Sequence, residues 1–216
     1  MKIRTLEDLE DRLYSEFAWR RDELRVIAED FDQSNAEPPL ARTRAAIAVL
    51  YAHWEGGVKA MGDAYISYIR NQAIRYRELP SGILALLLRA QLNELEESSR
   101  FARNRAICQN ILRQLNEIAK FPSSLSIDTG SNLNSERLVD ILAGIGIEED
   151  LLATKHVLID NLVDLRNRAA HGERVGIDAD DFRRFYQPIV DALELLRDRL
   201  IQGAQQGHFV HTIPYP

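Results

Sequence analysis

Residues 47–69 read IAVLYAHWEGGVKAMGDAYISYI, and this stretch decides the fold class because its large apolar side chains recur at steps of three and four residues. That spacing places them along one stripe of an α-helix. The stripe comprises Ile47, Leu50, Tyr51, Trp54, Val58, Met61, Tyr65, Tyr68 and Ile69. We therefore predict a long amphipathic helix from about residue 40 to residue 79, ended by the break Pro80-Ser81-Gly82.

Three glycines, Gly56, Gly57 and Gly62, lie inside this predicted helix. Each costs about 1 kcal/mol relative to alanine in a helix interior. We therefore expect another helix to approach closely at these positions.

The same periodicity continues through the chain, and alternation with a period of two residues is missing. We predict further helices over residues 5–31, 83–120 (one helix or two), 135–143, 149–170 and 179–203. Capping boxes are predicted at Thr5–Asp8 and Asp178–Asp181, and Ser135 is expected to cap the short helix. The prediction is an all-α bundle of long antiparallel helices in one domain, residues 1–204, with a C-terminal tail, residues 205–216.

Composition narrows the class of protein. The 216 residues are 45% hydrophobic and 28% charged, as in ordinary globular proteins, and 27 basic against 33 acidic residues give a net charge of −6. That balance argues against non-specific coating of nucleic acid, although it allows a small basic cleft. The single cysteine, Cys108, excludes an internal disulfide. Without an apolar run of about 18 residues or a signal-like N-terminus, we expect a cytoplasmic protein with no membrane partner.

The most distinctive segment is residues 161–173, NLVDLRNRAAHGE. Arg166 continues an apolar row of this predicted helix and has no acidic residue three or four positions away, whereas Arg168 can pair with Asp164. His171 precedes Gly172, a typical helix stop, so His171 taken alone is explained by its favourable interaction with the helix dipole.

Arg166 and His171 together suit chemistry on a phosphodiester. Histidine exchanges protons near neutral pH, and arginine stabilises negative charge on phosphorus. Residues five apart on an ideal helix are separated by about 140° and about 7.5 Å of rise. The pair can therefore converge only if the helix loosens at Gly172 or if a second copy of the motif faces the first.

The hexapeptide Arg166-Asn167-Arg168-Ala169-Ala170-His171 resembles the Arg-x4–6-His signature of HEPN-domain proteins, including the polar residue after the arginine. Upstream, residues 17–24 (FAWRRDEL) and 50–56 (LYAHWEG) resemble the MAE branch of HEPN-like nucleases found near bacterial defence and toxin–antitoxin genes.

This resemblance implies a metal-independent endoribonuclease that uses no cofactor and cleaves RNA by 2′-OH attack. It implies a homodimer whose two motifs form one cleft, in a bacterial toxin or phage-defence effector. Arg166 would stabilise the phosphate, His171 would act as acid or base or bind the phosphate, and Asn167 would orient the pair or hold RNA. A non-catalytic HEPN-like module for dimerisation and partner binding is the alternative.

The expected partners are RNA, a second copy of the chain, and a cognate antitoxin or defence-system protein. HEPN toxins silenced by AMP transfer carry a tyrosine two residues after the histidine, where this chain has Glu173. Glu173 in place of this tyrosine puts an AMP-transferring antitoxin in doubt and leaves other partners open.

The remaining candidates each have two interpretations. Glu55 either supports the arginine from an earlier helix or pairs with Lys59, and His53 fits a buried core position better than a catalytic one. His208 and His211 suit a tail better than a metal site, since no further ligand lies nearby. Residues 98–116 contain four arginines and no acidic residue. These arginines either contact RNA or form a solvated helix face: Arg100, Arg103, Arg105 and Arg113. Arg168 is a further candidate RNA contact.

Overall fold

The computed structural model describes residues 2–33, 38–147, 151–173 and 176–210, and these residues form helices and connecting segments without a β-strand. The predicted all-α fold is therefore confirmed. The helices are α1 (Leu6–Gln33), α2 (Leu40–Arg70), α3 (Ser81–Glu97), α4 (Phe101–Gln114), α5 (Ser135–Gly144), α6 (His156–Ala170) and α7 (Ala179–Gln205). Short 3₁₀ turns span Tyr76–Glu78 and Ala153–Lys155.

Three long helices, α1, α2 and α7, pack against one another in pairs and enclose the core, and α6 packs across α2. Aromatic side chains fill the centre, and Phe31 of α1 stacks on Phe182 of α7 with ring centroids 5.0 Å apart. The largest fully buried side chains are Trp54, Tyr51, Tyr65, Phe31, Phe182 and Phe185. The stripe predicted from residues 47–69 is therefore the side of α2 that faces its neighbours.

A second layer of shorter helices flanks this core. Helices α3 and α4 form a hairpin, and α5 joins that hairpin to α6. The irregular segment 121–134, predicted as the longest loop, runs from α4 back along α2 to α5.

Several predicted helix boundaries were wrong for local reasons. Helix α2 ends at Arg70 because the Asn71 side-chain amide donates to the Ser67 and Ile3 carbonyl oxygens (2.7 and 2.8 Å). Asn134, not Ser135, caps α5 by accepting the Arg137 N–H, while the Ser135 hydroxyl donates to Asp160 (2.8 Å).

The N-terminal part of α6 also differs from the prediction. The helix begins at His156, after the 3₁₀ turn, and the first two residues of the predicted helix, 149–150, lie outside the described residues. Both predicted capping boxes are present. The Asp8 N–H donates to the Thr5 hydroxyl (3.1 Å), and the Asp181 N–H donates to the Asp178 carboxylate (2.9 Å).

The glycines of α2 face different neighbours. A Cβ atom on Gly57 would lie 2.7 Å from Cδ2 of Leu193 on α7, so close approach of a helix is confirmed there. At Gly62 the expectation was wrong, since the side chain of Ile127 in the irregular segment comes within 2.8 Å. A Cβ on Gly56 would meet only Arg20, at 3.5 Å.

We expect Gly57→Ala to lower the free energy of unfolding by about 1–3 kcal/mol, because the added methyl group would displace the packed Leu193 side chain. The adjacent Gly56→Ala is the matched control: its Cβ meets an ordinary van der Waals contact, and alanine favours the helix by about 1 kcal/mol. Urea denaturation of both variants measures the difference. Equal stability of the two would contradict the close approach of α7.

In the predicted C-terminal tail, helix α7 continues to Gln205 and Phe209 is buried against Tyr68, with ring centroids 5.6 Å apart. His208 is exposed, and residues 211–216, which include His211, lie outside the described residues.

Across the described parts of the chain, every helix is too short or too polar to cross a membrane.

Candidate functional site

Arg166 lies half-buried on α6 among neutral groups. The guanidinium carbon stands 4.3 Å from the centroid of the Tyr51 ring on α2. Its Nη1 donates to the side-chain oxygens of Asn167 (2.7 Å) and of Asn132 in the irregular segment (3.2 Å). Among the described residues no carboxylate forms an ion pair with it, so its positive charge is held without being neutralised.

The tyrosine beneath this arginine is fixed from its other end. Tyr51 is fully buried, and its hydroxyl accepts the Leu133 N–H (2.7 Å), while the Trp54 indole N–H donates to the Leu133 carbonyl (3.2 Å). Since Leu133 follows Asn132, the contacts run from Arg166 through Tyr51 and Leu133 back to Asn132. Burial, as the largest effect, raises the pKa of Tyr51 above its ordinary value, so the phenol stays neutral at physiological pH.

The polar stripe of α2, by which we mean Tyr51, Glu55, Lys59 and Asp63, repeats every four residues and lies on one side of the helix. Its side chains form hydrogen bonds with successive parts of the irregular segment 121–134. Asp63 accepts the Ile127 N–H (2.6 Å), and Glu55 accepts the Thr129 hydroxyl (2.6 Å). Lys59 donates to the Ser126 hydroxyl (2.8 Å) and to the Ile127 carbonyl. The stripe therefore fixes the segment that carries Asn132.

Glu55 pairs with neither of the two residues expected from the sequence, Arg166 and Lys59. In the described part of the chain it has no hydrogen bond or ion pair with Arg166 or Lys59, and Lys59 lies instead 3.9 Å from Asp63. Besides holding Thr129, its charge acts on the pKa of Tyr51. Glu55 thus supports the tyrosine and the segment that surround Arg166.

His171 lies at the other end of the motif, where it caps the C-terminus of α6. Its side chain is exposed and makes no hydrogen bond or ion pair within the described residues. Gly172 adopts the expected left-handed conformation, with φ = +71°. Arg166 lies against Tyr51 of α2 and His171 is exposed, and no hydrogen bond joins the two side chains within one chain.

The other arginines have ordinary surroundings. Arg168 pairs with Asp164 (3.6 Å), as the spacing indicates, and also with Glu173 (3.2 Å). Arg44 of α2 donates to the Glu173 carbonyl and so ties the end of α6 to α2. On α4 the predicted RNA contact Arg103 pairs with Glu94 (2.7 Å), while Arg100, Arg105 and Arg113 are exposed.

Tyr51 and Asn132 are the residues that the sequence alone did not assign to the site. Tyr51 was interpreted as a core residue and Asn132 as part of a loop. The only signal was the repeat of polar atoms every four residues along the polar stripe of α2. Its significance depends on the irregular segment that lies against it, which no periodicity reveals.

We expect Tyr51→Phe to lower the free energy of unfolding by about 1–3 kcal/mol, because the buried Leu133 N–H loses its acceptor while the ring under Arg166 stays. Tyr14→Phe on α1 is the control, since that half-exposed tyrosine has no hydrogen-bonded hydroxyl among the described residues, and its change should stay within about 0.5 kcal/mol. Chemical denaturation measures both. A Tyr51→Phe protein as stable as wild type would refute this role of the hydroxyl.

His53 is buried between α1 and α2, with Nε2 3.2 Å from the Glu23 carboxylate and its ring edge-on to Trp19. Burial lowers its pKa below the ordinary value, despite the opposing effect of Glu23. These contacts are those of a packed core histidine.

The lowered pKa of His53 predicts a pH dependence of stability. The unfolded chain takes up the proton near pH 6.5 and the folded chain only at lower pH. We therefore expect the free energy of unfolding to fall as the pH drops through 6.5 toward the folded pKa, and His53→Gln to reduce this slope. Denaturation between pH 7.5 and 5.5 tests it; an unchanged slope in His53→Gln would assign the effect to other groups.

Within the described residues, no group of three or more histidine, cysteine, aspartate or glutamate side chains is arranged to hold a metal ion. The site thus consists of an arginine on neutral supports and, at the end of the same helix, an exposed histidine.

Comparison with known proteins identifies the family. A family model described as RiboL-PSP-HEPN matches residues 15–202, which is most of the chain and includes Tyr51, Asn132, Arg166 and His171. No curated protein and no solved structure matches. Membership of the MAE branch stays a prediction. The chain belongs to the RiboL-PSP-HEPN family of HEPN domains.

Proposed function

We propose that this protein is an endoribonuclease that cleaves RNA without a metal ion. The observation that carries the proposal is Arg166, whose guanidinium is held by an aromatic face and two amide oxygens and has no ion-pair partner in the described part of the chain. A purely structural buried arginine is ordinarily paired with a carboxylate. An arginine that is positioned but not neutralised suits the stabilisation of phosphate charge.

The reaction proposed is attack of a ribose 2′-OH on the adjacent phosphorus. The new 2′-O–P bond forms as the P–O5′ bond breaks, which leaves a 2′,3′-cyclic phosphate and a 5′-hydroxyl end. His171 takes the proton from the 2′-OH or gives one to the departing 5′-oxygen. Arg166 holds the negative charge of the phosphorane, while Asn167 and Asn132 hold Arg166 in place.

The complete site needs two chains in this proposal. No hydrogen bond joins Arg166 and His171 within one protomer, and His171 is exposed at the end of α6. A second copy related by a two-fold axis would bring its own motif against the first. Glu55 would act by supporting Tyr51, and Arg168 would contact the RNA backbone.

The biological role proposed is that of a bacterial toxin or phage-defence effector in the cytoplasm, controlled by a cognate antitoxin or defence-system protein. Support for this comes from the HEPN family and the resemblance of the motif. The alternative of a non-catalytic binding module is favoured by one observation, the lack of a hydrogen bond between Arg166 and His171 within a protomer.

The decisive experiment incubates the purified protein with a mixed RNA pool in EDTA and maps the cut ends. We expect cyclic-phosphate ends from wild type, and a loss of rate of about 10²–10³-fold in Arg166→Ala and about 10²–10⁴-fold in His171→Ala. Arg25→Ala, which removes an exposed arginine paired with Glu29 on α1, is the control and should cut at the wild-type rate.

Cutting by wild type and His171→Ala at equal rates would reject the proposed site, and a strictly monomeric mass in solution would reject the two-chain cleft. No cutting by any of the proteins, with folding and dimerisation intact, would favour the binding module.

Asn132 gives a separate test of the charge argument. We expect Asn132→Asp to lose at least tenfold in cleavage rate, because the new carboxylate would pair with Arg166 and neutralise it. Asn132→Ala removes one hydrogen bond but leaves the charge, so its loss should be smaller. A comparison of initial rates for the two variants measures this. An aspartate variant more active than the alanine variant would show that the free charge of Arg166 is not required.

A further inference from the structure

One side of α4 exposes apolar side chains to solvent. Phe101 is 83% exposed and Leu112 is 64% exposed, and Arg105 and Cys108 between them are exposed as well. At 100° per residue, these four positions fall within about 60° of the helix circumference. We call this set, Phe101, Arg105, Cys108 and Leu112, the α4 stripe.

The α4 stripe is turned away from the helix on which α4 packs. Ile107 is the one buried residue of α4, and Ile111 beside it is partly buried. From the same inner side, Gln114 bonds to Gln91 of α3 (3.2 Å). A helix of 14 residues is marginal in water by itself, so α4 depends for its stability on packing against its neighbours, chiefly α3.

Positive charge lies in the α4 stripe, at Arg105, and near it on α4. Residues 98–116 contain four arginines and no acid, although the chain as a whole has a net charge of −6. Arg103 pairs with Glu94 of α3. The remaining three, Arg100, Arg105 and Arg113, are exposed and form no ion pair with any described residue.

We propose that the α4 stripe is the docking surface for an acidic amphipathic α-helix of a protein partner. Leucine-type side chains of such a helix would cover Phe101, Cys108 and Leu112, and its glutamates or aspartates would pair with Arg105 and the free arginines near it. Contiguous exposed apolar side chains with a charged rim are typical of protein interaction sites. This inference does not depend on ribonuclease activity.

Two other occupants fit the observations less well. RNA accounts for the arginines and for Phe101, which can stack on a base, but not for the aliphatic Leu112. A second copy that pairs α4 with α4 would place arginines opposite arginines, which is unfavourable. The acidic helix accounts for both the apolar side chains and the charge.

The position of Cys108 allows a direct test, because it is the single cysteine and lies in the α4 stripe. The rate of its alkylation by iodoacetamide is followed by mass spectrometry on the intact protein. The probe is an 18-residue peptide with leucines at helical positions i, i+3, i+4 and i+7 of each repeat and glutamate elsewhere. Controls are the same peptide with lysine for glutamate and a 12-nucleotide 2′-O-methyl RNA, which a 2′-OH mechanism cannot cleave.

We expect the glutamate peptide at saturation to slow alkylation at least fivefold, and the two controls to leave it unchanged. Leu112→Ser and Arg105→Gln should remove the protection, and exposure of both side chains keeps the fold intact. Val26→Ser on α1, an equally accessible apolar position at 59% exposure, is the matched control and should retain protection.

Protection by the RNA alone would assign the surface to nucleic acid and overturn the proposal. So would slower alkylation at higher protein concentration, which would indicate a second copy, or no protection by the glutamate peptide.

Discussion

The hydrogen bonds between the polar stripe of α2 and the irregular segment are the constraint on which the candidate site depends. Residues 126–133 have no regular secondary structure, so their backbone groups need partners from elsewhere. Asp63, Lys59 and Tyr51 supply those partners from positions one and two helical turns apart on the same side of α2. The segment is thereby held in one position, and Asn132 is brought to Arg166.

The setting of Arg166 follows from that constraint. A carboxylate in place of Asn132 would hold the guanidinium more strongly but would cancel its charge. Two amide oxygens and an aromatic face hold the guanidinium less strongly than a carboxylate would, but they leave its positive charge available to a ligand. Such an arrangement favours binding of an external anion over stability of the chain, which is a common compromise at functional sites.

Arg166 and the α4 stripe lie on parts of the molecule that are built differently. Arg166 and Tyr51 belong to the packed assembly of α2 and α6, where burial fixes side chains. The α4 stripe belongs to a hairpin helix that packs chiefly on α3 and has one buried residue, Ile107. A ligand of Arg166 would meet a preformed geometry. A helix docked on the α4 stripe would add packing that α4 lacks.

The amino-acid sequence by itself determined the all-α class, the approximate extents of most helices and the motif Arg166–His171. These follow from local periodicity, capping and spacing, which act between residues close in the chain. It did not determine that α2 ends at Arg70, that Gly62 faces Ile127, or that Tyr51 and Asn132 support Arg166. Those facts were decided by contacts between residues as many as 115 positions apart (Tyr51 and Arg166), and such contacts form only when the helices pack together.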